Sequence, residues 1–406
     1  MSNMNKTKES NRDASRRRYT ANAVAFALAI ASFAFGHPDA SAGPREQAKR
    51  MYDRLTGTPP TPAQLDELTA KVTADGRRAT ALYIMDKSDA RSNSFYSVTL
   101  KNFATPWTNR DQTVFAPLND YTATVIGMVR DDKDFRGILS DDIVYVGEGV
   151  TPAFSTTSNA HYEALEGNNV NLRTALVEKQ QSSLNGLPAP ATAGVITSRA
   201  AAEAFFIDGT NRAMFRFTLL NHLCRDMEQV HDTSRPPDRI RQDVTRSPGG
   251  DSSIFLNNCI GCHSGMDPLA QAFAYYDFDE TQSQLVYTPG AVQPKYLINS
   301  DNFKPGFVTP DDRWENRWRL PGQNFHIGWA PGEDKGSGAK SLGQELAGSN
   351  AFAECQVEKV FRTVCFRSPS DGLDRSTFTT IVENFKGDHN LKNVFAETAD
   401  YCASGQ

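Results

Sequence analysis

The clearest pattern along the chain is a set of three apolar stripes near the C-terminus. Within each stripe, apolar residues recur every three or four positions, which is the spacing of one face of an α-helix. In chain order, the stripes are Ala353, Val357, Val360, Phe361, Val364 and Cys365; Phe378, Ile381, Val382 and Phe385; and Leu391, Val394, Phe395 and Cys402. Because the connections between them are short, we predict a three-helix bundle over residues 341–406.

The pattern upstream also predicts helices, together with one short strand. Apolar spacing and helix start and stop residues indicate helices over 44–54, 61–76, 95–103 and 119–130. The run 142–147 has the β-branched and aromatic composition that is typical of a strand. We assign these elements to a helical N-terminal domain over 43–187.

A change in composition separates this region from the next one. Residues 188–194 are rich in Pro and Ala, and we predict an interdomain linker there because paired prolines cannot continue a helix. The domain that follows, 195–340, begins with a helix over 198–224. Its last part, 281–340, is rich in Pro, Gly, Asp and Asn and is predicted to be a long ordered loop. The predicted fold class is therefore mainly α.

The N-terminus has the features of a secretory signal peptide. Three consecutive arginines, Arg16, Arg17 and Arg18, precede the uncharged, mostly apolar run 21–35. That run is short for a bilayer span and is followed by the small residues 40–42, which form a suitable cleavage site. We predict cleavage after residue 42 and export of the mature chain; an uncleaved membrane anchor is the alternative.

Charge and composition narrow the range of partners. The chain has a formal net charge of -5, and removal of residues 1–42 would leave a mildly acidic protein without basic blocks. Such a protein is a poor binder of nucleic acid. No stretch after residue 43 is long and apolar enough to span a membrane, so the mature chain is expected to have no membrane span.

One motif carries recognisable chemistry, the run Cys259-Ile260-Gly261-Cys262-His263. Two thiols one helical turn apart can form thioethers with the two vinyl groups of a haem, and the adjacent imidazole can bind the iron. Gly261 leaves room for close approach of the porphyrin. We predict one covalent haem c, bound through Cys259 and Cys262 with His263 as iron ligand; a redox-active disulfide and half of a zinc site are the alternatives.

Residues just after the motif are candidates for contact with the haem. Asp267-Pro268 can cap and start a helix, on which Leu269 and Phe273 share one face with Ala272 and Tyr276. We expect this face to pack on the porphyrin, the alternative being that it fills the local core. Met266 lies three residues after His263, so we expect it to pack beside the haem rather than bind iron.

The motif and its surroundings resemble a known group of proteins. The run from Cys259 to Leu269, followed by Tyr276-Asp277-Phe278-Asp279, is similar to the haem segment of the planctomycete-type cytochrome families. The stretch from Leu219 to Cys224, and the stretch from Phe352 to Arg362, resemble the helices that flank that segment in those families. The resemblance implies a large exported protein that binds haem, and it implies no particular substrate.

Four cysteines lie outside the motif, at Cys224, Cys355, Cys365 and Cys402. An exported protein pairs spare thiols, and four cysteines allow three pairings. Cys355 and Cys365 on one helix would be about 15 Å apart, beyond the limit of roughly 7 Å for a disulfide. In an up-down-up bundle Cys365 meets Cys402, so we predict the pairs Cys365–Cys402 and Cys224–Cys355. The alternative is four buried thiols.

The sixth iron ligand is the least specified part of the predicted site. No methionine follows Met266, so the candidates are His326, His389, His222, His231, Met214 and Met227, or no protein ligand. We favour His326 because its aromatic neighbours suggest a segment that folds over an apolar surface such as a porphyrin face.

The predicted function is electron transfer by an exported, periplasmic monohaem c-type cytochrome with a redox partner protein, either on its own or as a subunit of a larger redox complex. Two alternatives stay open. The first is a haem-dependent oxidoreductase or peroxidase-like enzyme with an open sixth iron site. The second is a structural or assembly protein in which the haem cross-links a loop-rich domain.

Overall fold

Helices form most of the N-terminal part of the chain, and one of them has a complete capping box at its start. Helix Pro62–Asp75 begins after Thr61, whose side-chain oxygen accepts the Gln64 N–H at 3.3 Å while the Gln64 side chain accepts the Thr61 N–H at 2.9 Å. This reciprocal pair satisfies two free backbone donors and fixes the helix start. The computed structural model describes residues 42–299, 301–321 and 326–404, so the predicted signal peptide lies outside the described residues except for Ala42.

The described chain is mainly helical, as predicted. Its N-terminal α-helices span Pro44–Thr56, Pro62–Asp75, Arg77–Ile84, Leu100–Ala104, Asp120–Arg130, Ala160–Gly167, Leu172–Ala175 and Gln181–Asn185. The later α-helices span Arg199–Phe205, Arg212–Leu223, Ser252–Ile254, Ile260–Ala270, Gly338–Ala347, Asn350–Cys365, Gly372–Asp388 and Leu391–Ala403. None of the helices in these described ranges is both long and apolar enough to cross a membrane.

Strands contribute little to the described structure. They form two-stranded antiparallel sheets that pair Val144–Gly147 with Leu176–Lys179, Tyr276–Asp279 with Gln284–Tyr287, and Arg313–Glu315 with Lys335–Ser337. The first of these strands lies within the predicted strand 142–147. The third sheet belongs to the predicted long loop 281–340, which also buries Trp314 and Trp318.

The three C-terminal stripes form helices, as predicted. These helices contact the N-terminal helices as well as the region around the motif. Helix Leu391–Ala403 packs against Arg77–Ile84 and Pro44–Thr56 near the N-terminus. Phe395 of the same helix also packs on two aromatic side chains of the N-terminal part, with its ring centroid 5.2 Å from that of Phe95 and 5.4 Å from that of Phe103. The C-terminal helices therefore share a core with the N-terminal helices as well as with the region around the motif.

The predicted boundaries between domains do not coincide with breaks in the core. One cluster of buried apolar residues includes Leu55, Leu219 and Val360, which come from the three predicted domains. In the segment 188–194, predicted to be a linker, Ala191, Thr192 and Ala193 are buried. A small apolar segment can fill a core even where proline prevents a regular helix, which the composition alone did not indicate.

The predicted helix 198–224 is divided into Arg199–Phe205 and Arg212–Leu223. Between them, Asp208 and Asn211 have positive φ angles of 57° and 58°, which end the first helix before the second begins. Asn211 is fully buried, and its side-chain amide donates to the carbonyls of Phe273 and Tyr276 at 2.9 and 2.8 Å. The break therefore fixes the second helix against the chain that follows the Cys-Ile-Gly-Cys-His motif.

Candidate haem attachment site

The motif lies inside a continuous helical segment. Helix Ser252–Ile254 begins after Asp251, whose side chain accepts the Ser253 N–H, and it continues through a π-helical turn into helix Ile260–Ala270. The prediction that Asp267-Pro268 starts a new helix is wrong, because Pro268 lies within the last turns of a helix that is already formed. The Asp267 side chain accepts hydrogen bonds from His263 and Arg212, so it does not cap the start of a helix.

The two motif cysteines are separate thiols, each partly exposed. The Sγ atom of Cys262 lies 3.7 Å from the backbone carbonyl of Met227. Burial, and then the negative charges of Glu228 and Asp226, raise the pKa of the Cys262 thiol.

His263 has one ring nitrogen engaged and one left for a ligand. Its Nδ1 lies 3.1 Å from Oδ1 of Asp267, which is one helical turn later and has no exposed side-chain surface. An ionised carboxylate can only accept, so Nδ1 carries the proton and donates it. In the neutral form of the ring Nε2 then has the lone pair, on a side chain that is 21% exposed. This is the tautomer that a histidine needs to bind a metal through Nε2.

Asp267 is held ionised by two arginines. Arg212 donates to both carboxylate oxygens, from Nε at 2.7 Å and from its terminal nitrogen at 2.9 Å, and the Arg241 backbone N–H donates at 3.2 Å. Burial opposes ionisation, but the charges of Arg212 and Arg241 outweigh it and hold the pKa of Asp267 well below its usual value. Arg212 also donates to Asp243 at 2.5 and 2.8 Å.

Asp267 was predicted only as a helix cap, and neither arginine was predicted to belong to the site. The spacing of four residues between His263 and Asp267 was the available signal, because residues four apart share one face of a helix. Nothing in the sequence pointed to Arg212 or Arg241, which lie 55 and 26 positions before Asp267.

The residues expected to pack on the porphyrin lie in the protein core instead. Leu269 and Phe273 have no exposed surface, and Phe273 packs on Phe206 with ring centroids 5.6 Å apart. Tyr276 donates from its hydroxyl to the Ala191 carbonyl at 2.6 Å. This face therefore fills the local core, which was the stated alternative. Met266 is also buried in that core.

The room beside Gly261 and Gly265 is taken by protein side chains. A Cβ at Gly261 would overlap the imidazole of His231, and a Cβ at Gly265 would overlap the indole of Trp318. The absence of a side chain at Gly261 therefore allows close approach of His231, and not of the porphyrin as predicted.

Apolar surface is available immediately before the motif. The side chains of Ile254 and Leu256 are 38% and 55% exposed, and they precede Cys259 by five and three residues. One short segment therefore contains exposed apolar side chains, two free thiols and an imidazole nitrogen that takes no part in the hydrogen bond to Asp267. These features fit the requirements of an apolar ring attached at Cys259 and Cys262.

The candidates for a sixth ligand lie in different parts of the fold, and the imidazole of His231 packs beside Gly261 of the motif. His326 is exposed, and its backbone carbonyl accepts the Arg225 Nε–H at 3.3 Å. His222 is fully buried, with Nε2 at 2.6 Å from the Tyr121 hydroxyl. His389 packs on Phe385 in the turn between two C-terminal helices. The loop after Cys224 connects two parts of the site, because Arg225 contacts His326 and the Met227 carbonyl contacts Cys262.

The remaining cysteines pair as predicted. Cys224 and Cys355 lie at disulfide distance, with their Cα atoms 5.2 Å apart, and the Cα atoms of Cys365 and Cys402 are 5.6 Å apart. The first pair joins the end of helix Arg212–Leu223 to helix Asn350–Cys365. The second pair joins the end of that helix to helix Leu391–Ala403.

Comparison with known proteins adds no relative. No family model matches the chain, and neither a curated protein nor a solved structure matches it. Within residues 42–299, 301–321 and 326–404, no group of three or more His, Cys, Asp or Glu side chains is arranged to hold a bare metal ion.

Proposed function

We propose that the protein is an exported monohaem c-type cytochrome that transfers electrons to or from a partner protein. The observation that carries this proposal is the combination of two separate thiols one turn apart with an imidazole whose Nδ1 is engaged by Asp267. When bound, haem supplies a one-electron couple, and the protein sets its potential through axial ligands, burial and hydrogen bonds.

The chain's own residues have distinct roles in this proposal. Cys259 and Cys262 anchor one edge of the ring, and His263 offers Nε2 to the iron. The exposed Ile254 and Leu256 provide apolar surface beside the attachment point. His326 is the proposed sixth ligand, which is supported by the loop from Arg225 to Met227 that contacts both His326 and Cys262.

Covalent attachment is tested by expressing the chain in a host that exports it and ligates haem c. The denatured, purified protein is expected to retain its haem and to give the pyridine haemochrome spectrum of a doubly thioether-linked haem. Replacing Cys259 and Cys262 together by alanine should abolish that spectrum. The matched control replaces Cys365 and Cys402, a pair outside the motif, and should keep the haem. Haem that extracts from the unaltered protein into acid acetone would overturn the proposal.

The sixth ligand is tested separately with His326→Ala. Loss of an imidazole ligand should change a low-spin spectrum to a high-spin one and open the iron to carbon monoxide. His389→Ala, which removes a histidine at a turn between C-terminal helices, is the control and should leave the spectrum unchanged. A low-spin spectrum that persists in His326→Ala would exclude His326.

A further inference from the structure

The most completely built group of charges near the motif surrounds the Asp267 carboxylate. Oδ1 accepts from Nδ1 of His263 at 3.1 Å and from Nε of Arg212 at 2.7 Å. Oδ2 accepts from the terminal nitrogen of Arg212 at 2.9 Å and from the backbone N–H of Arg241 at 3.2 Å. A carboxylate with two hydrogen bonds to each oxygen has little freedom to rotate, so the direction in which it faces His263 is fixed.

Apart from His263, the hydrogen bonds of this network join two arginines and two aspartates. Arg212 and Arg241 are opposed by Asp267 and by Asp243, which accepts two hydrogen bonds from Arg212. Arg241 is fully buried, and its guanidinium lies over the Tyr296 ring at 4.6 Å from the centroid. Arg241 and Asp267 are buried, whereas Arg212 and Asp243 are partly exposed. Removing one partner of such a pair leaves an uncompensated charge, so the network holds the Asp267 carboxylate in place.

We propose that Asp267 is a positioning residue for the iron ligand. By accepting the Nδ1–H of His263, it fixes the plane of the imidazole and makes Nε2 a stronger electron donor. This inference rests on the proposed haem attachment. A carboxylate partner raises the basicity of a metal-bound histidine, and a more strongly donating ligand favours the oxidised iron. The haem should therefore have a lower reduction potential than it would have with a neutral hydrogen-bond acceptor.

The test compares Asp267→Asn with Asp243→Asn in the haem-loaded protein. Both variants remove one negative charge from the same arginine pair, but only the first changes the partner of His263. Redox titration should show at least a tenfold shift toward the reduced form in Asp267→Asn, which is about 59 mV for one electron. Asp243→Asn should give a clearly smaller shift. Equal shifts in the two variants, or no shift in Asp267→Asn, would overturn the inference.

A second measurement covers the case in which Asp267→Asn does not fold. In the reduced, unaltered protein labelled with ¹⁵N-histidine, the His263 Nδ1 proton should exchange slowly, and its nitrogen should be displaced toward the imidazolate value. A nitrogen shift typical of a neutral acceptor would overturn the inference. The two proposals fail in different ways: absence of covalent haem refutes the proposed function, whereas attached haem with an unaffected potential refutes only the role of Asp267.

Discussion

Gly265 provides a strong test of the packing around the motif helix Ile260–Ala270. A Cβ built on Gly265 would lie 2.9 Å from Cζ2 of Trp318 and closer still to Nε1 and Cε2 of the same ring. Trp318 is almost fully buried and packs on Phe215, with ring centroids 5.8 Å apart. The indole has no open space to enter, so Gly265→Ala must move either the helix or the ring.

Two opposing effects set the size of the change in stability. Forcing an extra carbon into a well-packed core costs about 1–3 kcal/mol. Replacing glycine by alanine inside a helix stabilises it by about 1 kcal/mol. We therefore expect a net loss of up to about 2 kcal/mol in the free energy of unfolding. For a folded unit of this length, an unfolding entropy of about 0.8 kcal/mol/K makes that a fall of up to roughly 3 °C in Tm.

The change in stability is measured by guanidinium unfolding with both disulfides intact. If the slope of the unfolding free energy against denaturant is unchanged, the shift in the midpoint reports the change in stability. Gly387→Ala is the matched control, because Gly387 lies in helix Gly372–Asp388 and an added Cβ meets nothing within 4 Å. That variant should be more stable than the unaltered protein by up to about 1 kcal/mol. In a Trp318→Leu background, Gly265→Ala should lose most of its cost. If Gly265→Ala stabilises the protein as much as Gly387→Ala does, the packing described for Trp318 is refuted.

Three further predictions concern a carboxylate, the disulfides and a buried histidine. Burial raises the pKa of Asp131, but hydrogen bonds from Arg130 and Lys87 outweigh it and lower the pKa to about 2. Its ion pairs should therefore stabilise the fold by about 1–2 kcal/mol above pH 4, with allowance for partial exposure, and this contribution should disappear as the pH falls toward 2. The stability difference from Asp131→Asn should follow that course, and a difference that is constant with pH would contradict it. Removing the Cys224–Cys355 pair, 131 residues apart, should cost about 5 kcal/mol of stability, and removing Cys365–Cys402, 37 residues apart, should cost about 4 kcal/mol. Chemical denaturation of the two double Cys→Ser variants measures both losses, and a larger loss for the second pair would contradict the prediction. Tyr121→Phe should cost about 1–3 kcal/mol, because Nε2 of the buried His222 would lose its partner, and an unchanged unfolding midpoint would argue against that hydrogen bond.

Local signals in the sequence were sufficient for the elements whose cause is local. The Thr61 capping box fixes the start of helix Pro62–Asp75, and the C-terminal stripes fix three helices because a helix must bury one face. The disulfide pairing also followed from the sequence, since helix rise and bundle topology limit which cysteines can meet. The spacing in the Cys-Ile-Gly-Cys-His motif identified the candidate site without the structure.

Only the tertiary structure decided what surrounds that motif. The partners of Asp267 come from distant parts of the chain, and no spacing rule relates Arg212 or Arg241 to His263. The same holds for residues 191–194, which are buried although their composition predicts a linker. Periodicity shows that a residue faces something apolar, but it does not show what, and so Leu269 and Phe273 were assigned to a porphyrin when they lie in the protein core. Which groups meet across the core depends on how all the helices pack, and that packing is a property of the whole chain.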